Sequence, residues 1–88
     1  MAYVYILQSL KNKRYYIGST ENIQQRFLTH QSGYVKATKN LLPLQIVLQQ
    51  EYPGIVIARR IERKLKKLKR RDYIAKIVKD KKILISGD

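Results

Sequence analysis

Hydrophobic and aromatic residues concentrate in three short segments of the chain, and polar residues separate these segments. Residues 3–9, 14–19 and 44–52 are rich in the aromatic and β-branched types that favour strands. The polar residues 11–13 predict a turn between the first two segments, and a Pro-Gly pair after the third predicts the turn that ends it. The pattern therefore predicts three strands, of which the first two form a hairpin.

A first helix is predicted after the hairpin. Asn22 is a favourable N-cap, and Gln25, three residues later, fits the pattern of a capping box. Gly33 is a natural end for this helix because glycine tolerates the left-handed conformation of a C-terminal cap. The residues that follow, 34–43, are predicted to form a basic loop.

Two more helices are predicted after the third strand. The first has apolar residues at spacings of 3, 4 and 3, the core stripe of an amphipathic helix. These residues are Ala58, Ile61, Leu65 and Leu68. A second, shorter helix contains Tyr73, Ile74, Ile77 and Val78. The order ββαβαα predicts an α+β fold with helices packed on a small, mostly antiparallel three-stranded sheet.

Composition limits the architecture. Eighty-eight residues form one domain, expected at 1–82 with a short tail at 83–88, because two cores would each have fewer than about 50 residues. No apolar stretch is long enough to span a bilayer, and the first residues do not have the pattern of a signal peptide. Without cysteine, the chain has no disulfide and no thiolate metal site. We therefore expect a cytoplasmic protein that does not associate with membranes.

The charge of the chain indicates a polyanionic partner. Nineteen Lys and Arg residues against six Asp and Glu residues give a net charge of +13, and residues 59–82 hold 13 of the basic residues with three acids. This asymmetry favours nucleic acid or an anionic surface over an acidic protein partner. The ordinary alternative is a helix face that lysines keep soluble. However, self-repulsion at this charge destabilises a compact state that never meets a counter-charge, which favours nucleic acid.

The reactive side chains are few. One histidine without cysteine excludes a His/Cys zinc cluster, and no glycine-rich loop follows a strand. The acids are too few to converge on two metal ions. The remaining candidates are the hairpin residues Tyr5 and Tyr16, the helical residues Arg26 and His30, and Glu62, the one acid between residues 55 and 71.

These five candidates have compatible positions. For one parity of the hairpin register both tyrosines share a face, and Arg26 and His30, four residues apart, share a helix face. Glu62 lies beside the core stripe of its helix, where a carboxylate can bind a hard divalent ion that keeps several waters.

Each candidate also has an ordinary structural explanation. A tyrosine in a hairpin is usually a half-buried sheet residue, Arg26 fits a surface arginine, and His30 fits the edge of a core. Glu62 fits a simple ion pair with Lys66, one helical turn away.

Four segments, taken together, resemble the GIY-YIG nuclease family over almost the whole chain. The matching residues are Tyr3-Val4-Tyr5 for the first motif, Tyr16-Ile17-Gly18 for the second, Arg26, His30 and Gly33 for an Arg-x-x-x-His-x-x-Gly helix, and Ala58, Glu62, Leu65 and Lys66 for an acidic helix. The chain departs from the family at Tyr3, where the first motif has glycine. It also lacks the asparagine that some relatives have beyond the acidic helix.

The resemblance implies an endonuclease that hydrolyses phosphodiester bonds in DNA with one divalent ion, Mg²⁺ or Mn²⁺, in repair or recombination. It implies that Tyr5 or Tyr16 activates or positions the attacking water and that Arg26 neutralises phosphoryl charge. It further implies that His30 positions the nucleophile or the phosphate and that Glu62 holds the ion. Gly18 and Gly33 are expected to be structural, Gly18 by allowing close approach of a substrate or helix.

Binding of the nucleic acid is expected from a separate set of residues: Lys36, Lys39, Asn40, Arg59, Arg63, Lys66, Lys67 and Arg70. Contacts of this kind to phosphate position a substrate without reading its sequence, so we expect selectivity for structure. Two alternatives stay open. One is a catalytically inactive nucleic-acid-binding module, and the other is a nuclease subunit that cuts only with a protein partner that supplies specificity.

Overall fold

The computed structural model describes residues 1–68 and 70–84, and it confirms the α+β class and the order ββαβαα. The three strands form one antiparallel sheet in the order β2-β1-β3. The elements are β1 (Ala2–Ser9), β2 (Tyr15–Thr20), α1 (Ile23–Gln31), a 3₁₀ helix (Lys39–Leu41), β3 (Leu44–Tyr52), α2 (Ile55–Leu68) and α3 (Arg71–Asp80). The 3₁₀ helix lies in the segment that the sequence predicts as loop.

The central strand β1 separates two hydrophobic cores. Val4 and Ile6 belong to the larger core, which α2 and α3 cover. Tyr5 and Leu7 point to the other face and form a smaller core with side chains from α1 and from the segment before β3. Because β1 is buried on both faces, its apolar residues are consecutive rather than alternating with polar ones.

The ends of α1 follow local capping rules. Asn22 caps the helix, since its side-chain oxygen accepts a hydrogen bond from the backbone N–H of Gln25 at 3.1 Å. In a complete capping box the side chain of Gln25 would also accept from the backbone N–H of Asn22. Here that N–H donates instead to the hydroxyl of Thr20, at 3.1 Å. Gly33, at φ +84°, is in the predicted left-handed conformation just after the helix.

The core stripe of α2 is confirmed at three of its four positions. Ala58, Ile61 and Leu65 are buried in the larger core. Leu68 is 37% exposed, so its predicted place in the core is wrong. It is the last residue of α2, and the buried part of the stripe ends at Leu65, three residues earlier.

The C-terminal part of the described chain also contributes to the larger core. Ile74 and Ile77 of α3 are buried, as the periodicity predicts. Ile83, in the predicted tail, is buried as well, and its backbone N–H donates to the side chain of Gln50 at 2.8 Å. Residues 85–88 of that tail lie outside the described residues. Among the described helices, none has the length and apolarity to span a membrane.

Candidate active site

The register of the hairpin places the two candidate tyrosines on one face of the sheet. Tyr5 lies opposite Gly18, and Leu7 lies opposite Tyr16. Because alternate residues of a strand share a face, Tyr16 is a diagonal neighbour of Tyr5 on the side that α1 covers. The hairpin therefore has the register in which both tyrosine side chains can belong to one site.

The hydroxyl of Tyr5 lies at the centre of a hydrogen-bonded cluster. It lies 3.0 Å from Nε2 of His30, and it accepts a hydrogen bond from Nε of Arg26 at 3.4 Å. Arg26 and His30 both come from α1, one helical turn apart, so a single helix supplies both partners. The side chain of Tyr5 is almost fully buried, at 2% exposure.

Burial sets the protonation states in this cluster. Burial raises the pKa of Tyr5 more strongly than the hydrogen bond and charge of Arg26 lower it. The hydrogen bond to Tyr5 is the main reason that the pKa of Arg26 is raised. At neutral pH the pair therefore consists of a neutral phenol and a charged guanidinium. The field of Arg26 alone does not produce a phenolate at Tyr5.

His30 is fully buried and makes a hydrogen bond through each ring nitrogen. Nε2 faces Tyr5, and Nδ1 lies 2.8 Å from the hydroxyl of Thr38. Burial, followed by the positive charge of Arg26, lowers the pKa of His30 to about 4. The imidazole is therefore neutral at pH 7 and has one nitrogen available as an acceptor.

Sequence reasoning did not find Thr38. The residue is buried, although both of its chain neighbours are exposed and the segment was expected to be a basic loop. A single buried residue between exposed neighbours produces no periodic pattern. Only the contact with His30, eight residues earlier in the chain, identifies it.

Tyr16 links the α1 side of the cluster to α2. Its ring contacts the ring of His30 edge to face, with the centroids 5.1 Å apart. The ammonium group of Lys66 lies 5.6 Å from the centroid of the same ring. Tyr16 is more exposed than Tyr5 and therefore forms the accessible side of the cluster.

Glu62 approaches this group from the opposite face of the sheet. Its carboxylate accepts hydrogen bonds from the hydroxyl of Ser19 in β2 and from Lys66, the latter at 2.6 Å. Because β2 is the edge strand, side chains from both faces of the sheet can reach its outer side. The charge of Glu62 acts on Tyr5, whose pKa it raises slightly after larger effects of burial and other neighbours. Arg26, Tyr5, His30 and Tyr16 thus form a continuous chain of contacts, and Glu62 is connected to Tyr16 through Lys66.

Gly18 is required by the packing of Tyr5. A Cβ at this position would overlap the hydroxyl and the adjacent ring carbon of Tyr5. The close neighbour of Gly18 is therefore a tyrosine of its own site, whereas the sequence suggested a substrate or a helix. The missing side chain in the second motif makes room for the tyrosine of the first.

The donor set around Glu62 fits a weakly held hard cation. In the parts of the chain that the structure describes, no group of three or more His, Cys, Asp or Glu residues could enclose a metal ion. One carboxylate with the hydroxyl of Ser19 nearby offers only oxygen ligands. Mg²⁺ typically binds to one or two carboxylates and keeps several waters while it contacts substrate phosphates. The residues therefore suit Mg²⁺ or Mn²⁺ that water and phosphate would complete.

The predicted nucleic-acid-binding residues form two groups. A cleft of about 310 Å³ beside Glu62 is lined by Arg59, Arg63 and Lys66. The other members on α2 and after it are exposed, and Arg70 forms an ion pair with Asp72 at 2.9 Å. The second group, Lys36, Lys39 and Asn40, is exposed in the segment that holds Thr38. Positive charge therefore borders the cluster on the α2 side and in the segment that contacts His30.

The cluster at the edge of the sheet and the basic surface around it fit a domain that acts on a polyanion. Residues 1–76 match the family model of the GIY-YIG catalytic domain. The chain therefore belongs to the GIY-YIG family, whose members are endonucleases that generally depend on divalent metal ions and act on nucleic acid. Neither a curated protein nor a solved structure matches the chain significantly.

Proposed function

We propose that this domain is a cytoplasmic endonuclease that hydrolyses phosphodiester bonds in DNA with the help of one Mg²⁺ or Mn²⁺ ion. The observation that carries the proposal is the cluster in which Arg26 and His30 contact the hydroxyl of Tyr5, with Tyr16 and Glu62 beside it. An inactive binding module does not need a buried phenol that is hydrogen-bonded to both a guanidinium and a neutral imidazole.

Arg26 is proposed to stabilise negative charge on the scissile phosphate. Its Nε–H is engaged by Tyr5, which holds the side chain in place. The guanidinium also interacts with Tyr16, and its terminal N–H groups can bind phosphoryl oxygens in the fork geometry that arginine favours. Charge that develops in the transition state is stabilised best by donors that are already oriented, because they do not reorganise during the reaction.

Tyr16 is proposed to contact the attacking water. The hydroxyl of Tyr5 is enclosed by Arg26 and His30, whereas Tyr16 is accessible. Lys66 lies over the ring of Tyr16 and places a cation beside this accessible phenol. In this assignment Tyr16 orients the attacking water, and Tyr5 positions Arg26.

Glu62, with Ser19 beside it, is proposed to hold the metal ion. When bound, a divalent ion lowers the pKa of water and stabilises the leaving oxygen of a phosphodiester. Binding would require the ammonium of Lys66 to leave the carboxylate, and a DNA phosphate is a suitable new partner for it.

The basic residues beside the site are proposed to hold the DNA backbone. Contacts to phosphates give affinity and orientation but carry no sequence information. We therefore propose selectivity for the structure of DNA rather than for its sequence, as a role in repair or recombination requires.

Nicking of supercoiled plasmid and cutting of branched DNA, with and without Mg²⁺ or Mn²⁺, test this function. We expect metal-dependent cleavage that Glu62→Gln and Arg26→Ala each reduce by at least about a hundredfold. Glu51→Gln, an equivalent change on the exposed side of β3, is the matched control and should retain full activity. DNA binding without cleavage under every metal condition would instead support a binding module.

A further inference from the structure

We propose that Thr38 is a positioning residue, whose hydroxyl selects the tautomer of His30 and thereby orients the Tyr5 hydroxyl that holds Arg26. The part of this inference that concerns the tautomer stands on the hydrogen bonds alone. The part that concerns cleavage rests on the proposed function.

The side chain of Thr38 does not cap the 3₁₀ helix, although the residue stands at the N-cap position. Thr38 is the N-cap residue of the 3₁₀ helix, where a threonine hydroxyl commonly accepts a hydrogen bond from a backbone N–H of the first turn. No such cap bond is made here. The hydroxyl lies instead 2.8 Å from Nδ1 of His30, and the residue is fully buried.

The backbone around Thr38 holds this hydroxyl in place. The N–H of Thr38 donates to the carbonyl of Val35 at 3.1 Å, and its carbonyl accepts from the N–H of Leu41 at 2.9 Å. The residue is therefore tied on both sides, and its hydroxyl is a fixed partner for the imidazole.

The available protons distinguish the two neutral tautomers of His30. If Nδ1 carries the proton, it donates to Thr38, whose own proton goes to the carbonyl of Val35 at 3.4 Å. Nε2 then accepts the proton of Tyr5, and the Tyr5 oxygen accepts from Arg26. In this arrangement each of these donors has an acceptor, and no two donors face each other.

The other tautomer leaves the cluster incompletely paired. With the proton on Nε2, His30 and Arg26 would both donate to the oxygen of Tyr5. The phenol proton would then lack an acceptor among the contacts that the structure records for it. An unsatisfied buried donor costs about 1–3 kcal/mol. The structure therefore favours the tautomer with the proton on Nδ1, and the hydroxyl of Thr38 is the group that accepts it.

Nitrogen NMR of the histidine ring measures the tautomer directly. His30 is the one histidine in the chain, so its ring signals need no assignment. We expect the wild type at neutral pH to carry the proton on Nδ1. Thr38→Val, which removes the hydroxyl and keeps the shape, should shift the population toward Nε2, and Thr38→Ser should restore Nδ1. A proton on Nε2 in the wild type, or a Thr38→Val spectrum identical to it, would overturn the inference.

The cleavage assay measures the consequence for Arg26. Thr38→Val should lower kcat roughly tenfold to a hundredfold with a much smaller change in KM, because a misplaced catalytic group affects the transition state most. Thr38→Ser should recover most of the rate. Thr29→Val is the matched control, since its hydroxyl donates to the carbonyl of Gln25 within α1.

The two measurements separate this inference from the proposed function. A wild type that never cleaves DNA but carries the proton on Nδ1 contradicts the nuclease and retains the role of Thr38 in the tautomer. A wild type that cleaves, with Thr38→Val equally active, contradicts the positioning role and retains the nuclease. If Thr38→Val does not fold, the wild-type and Thr38→Ser spectra still decide the tautomer.

Discussion

At the scale of single residues, burial has a larger effect than charge on the pKa values of Tyr5 and His30. Burial raises the pKa of the Tyr5 phenol against the hydrogen bond and charge of Arg26, whereas burial and the charge of Arg26 both lower the pKa of the His30 imidazole, so both groups are neutral at pH 7. Their contribution is therefore to geometry, and it depends on the absence of a side chain at Gly18.

Replacement of Gly18 by alanine tests this packing. The added Cβ would overlap the side chain of Tyr5, which is buried. We expect Gly18→Ala to lower the free energy of unfolding by about 1–3 kcal/mol, as overpacking does, and to reduce cleavage as well. Gly54→Ala is the control, because no atom lies within 4 Å of a Cβ there. Equal losses in urea unfolding of the two variants would contradict the contact with Tyr5.

The pH dependence of stability tests the burial of His30. Its pKa is about 4 in the folded protein against an ordinary value of 6.5. Between these values the unfolded chain binds a proton that the folded protein does not bind. The free energy of unfolding should therefore fall as the pH decreases from about 6.5 to 4, by at most about 1.4 kcal/mol per pH unit.

Urea unfolding at a series of pH values, with His30→Gln as the comparison, measures this effect. The variant lacks the titrating group, so its stability should change less across the same window. Parallel curves for the two proteins would show that His30 is not the group responsible.

At the scale of elements, α1 supplies both Arg26 and His30, and its ends determine where these two residues lie. Asn22 starts the helix with a side-chain cap, and Gly33 ends it in a left-handed conformation. Both signals are local, and each is visible in the sequence. They define a short helix in which positions 26 and 30 share one face.

Substitution of Gly33 tests the end of α1. Alanine in the left-handed region costs about 1–2 kcal/mol, and the nearest atom to its Cβ, on Leu42, is at an ordinary contact distance of 3.8 Å. We expect Gly33→Ala to lower the melting temperature and Gly33→Asn to lower it less, since asparagine tolerates this conformation better. An alanine variant as stable as the wild type would contradict this role.

For the whole molecule, the net charge of +13 is the dominant property. Much of it lies on α2 and the segments after it, beside Glu62, so bound DNA would relieve its self-repulsion near the site. The salt dependence of DNA binding should therefore be steep.

The slope of log Kobs against log salt concentration identifies the residues that contact phosphate. Arg63→Gln, and Lys36→Gln in the loop, should each reduce the slope by roughly 0.9 if each side chain contacts one phosphate of a duplex. Lys11→Gln, on the turn between β1 and β2, removes the same charge at an exposed position outside both groups. Equal reductions in all three variants would indicate a response to net charge rather than these contacts.

The sequence by itself determined the elements of this protein, because their signals are local. Strand composition, the cap at Asn22, the glycine after α1 and the spacing of Ala58, Ile61 and Leu65 each act within a few residues. The fold class followed from these patterns, and the candidate residues came from the few reactive side chains in the chain and from the resemblance to the GIY-YIG family. The burial of Leu68 was predicted wrongly because periodicity identifies the apolar face of a helix but not how far along the helix the rest of the protein covers that face.

Only the tertiary structure decided how these residues meet. The edge position of β2 brings Glu62 and Tyr16 near each other from opposite faces of the sheet, and no spacing along the chain specifies that position. Burial of Thr38 against His30, and the excess of burial over charge at Tyr5, also depend on long-range packing. Protonation and hydrogen-bond direction respond to the surroundings in space, so they appear only when the chain has folded.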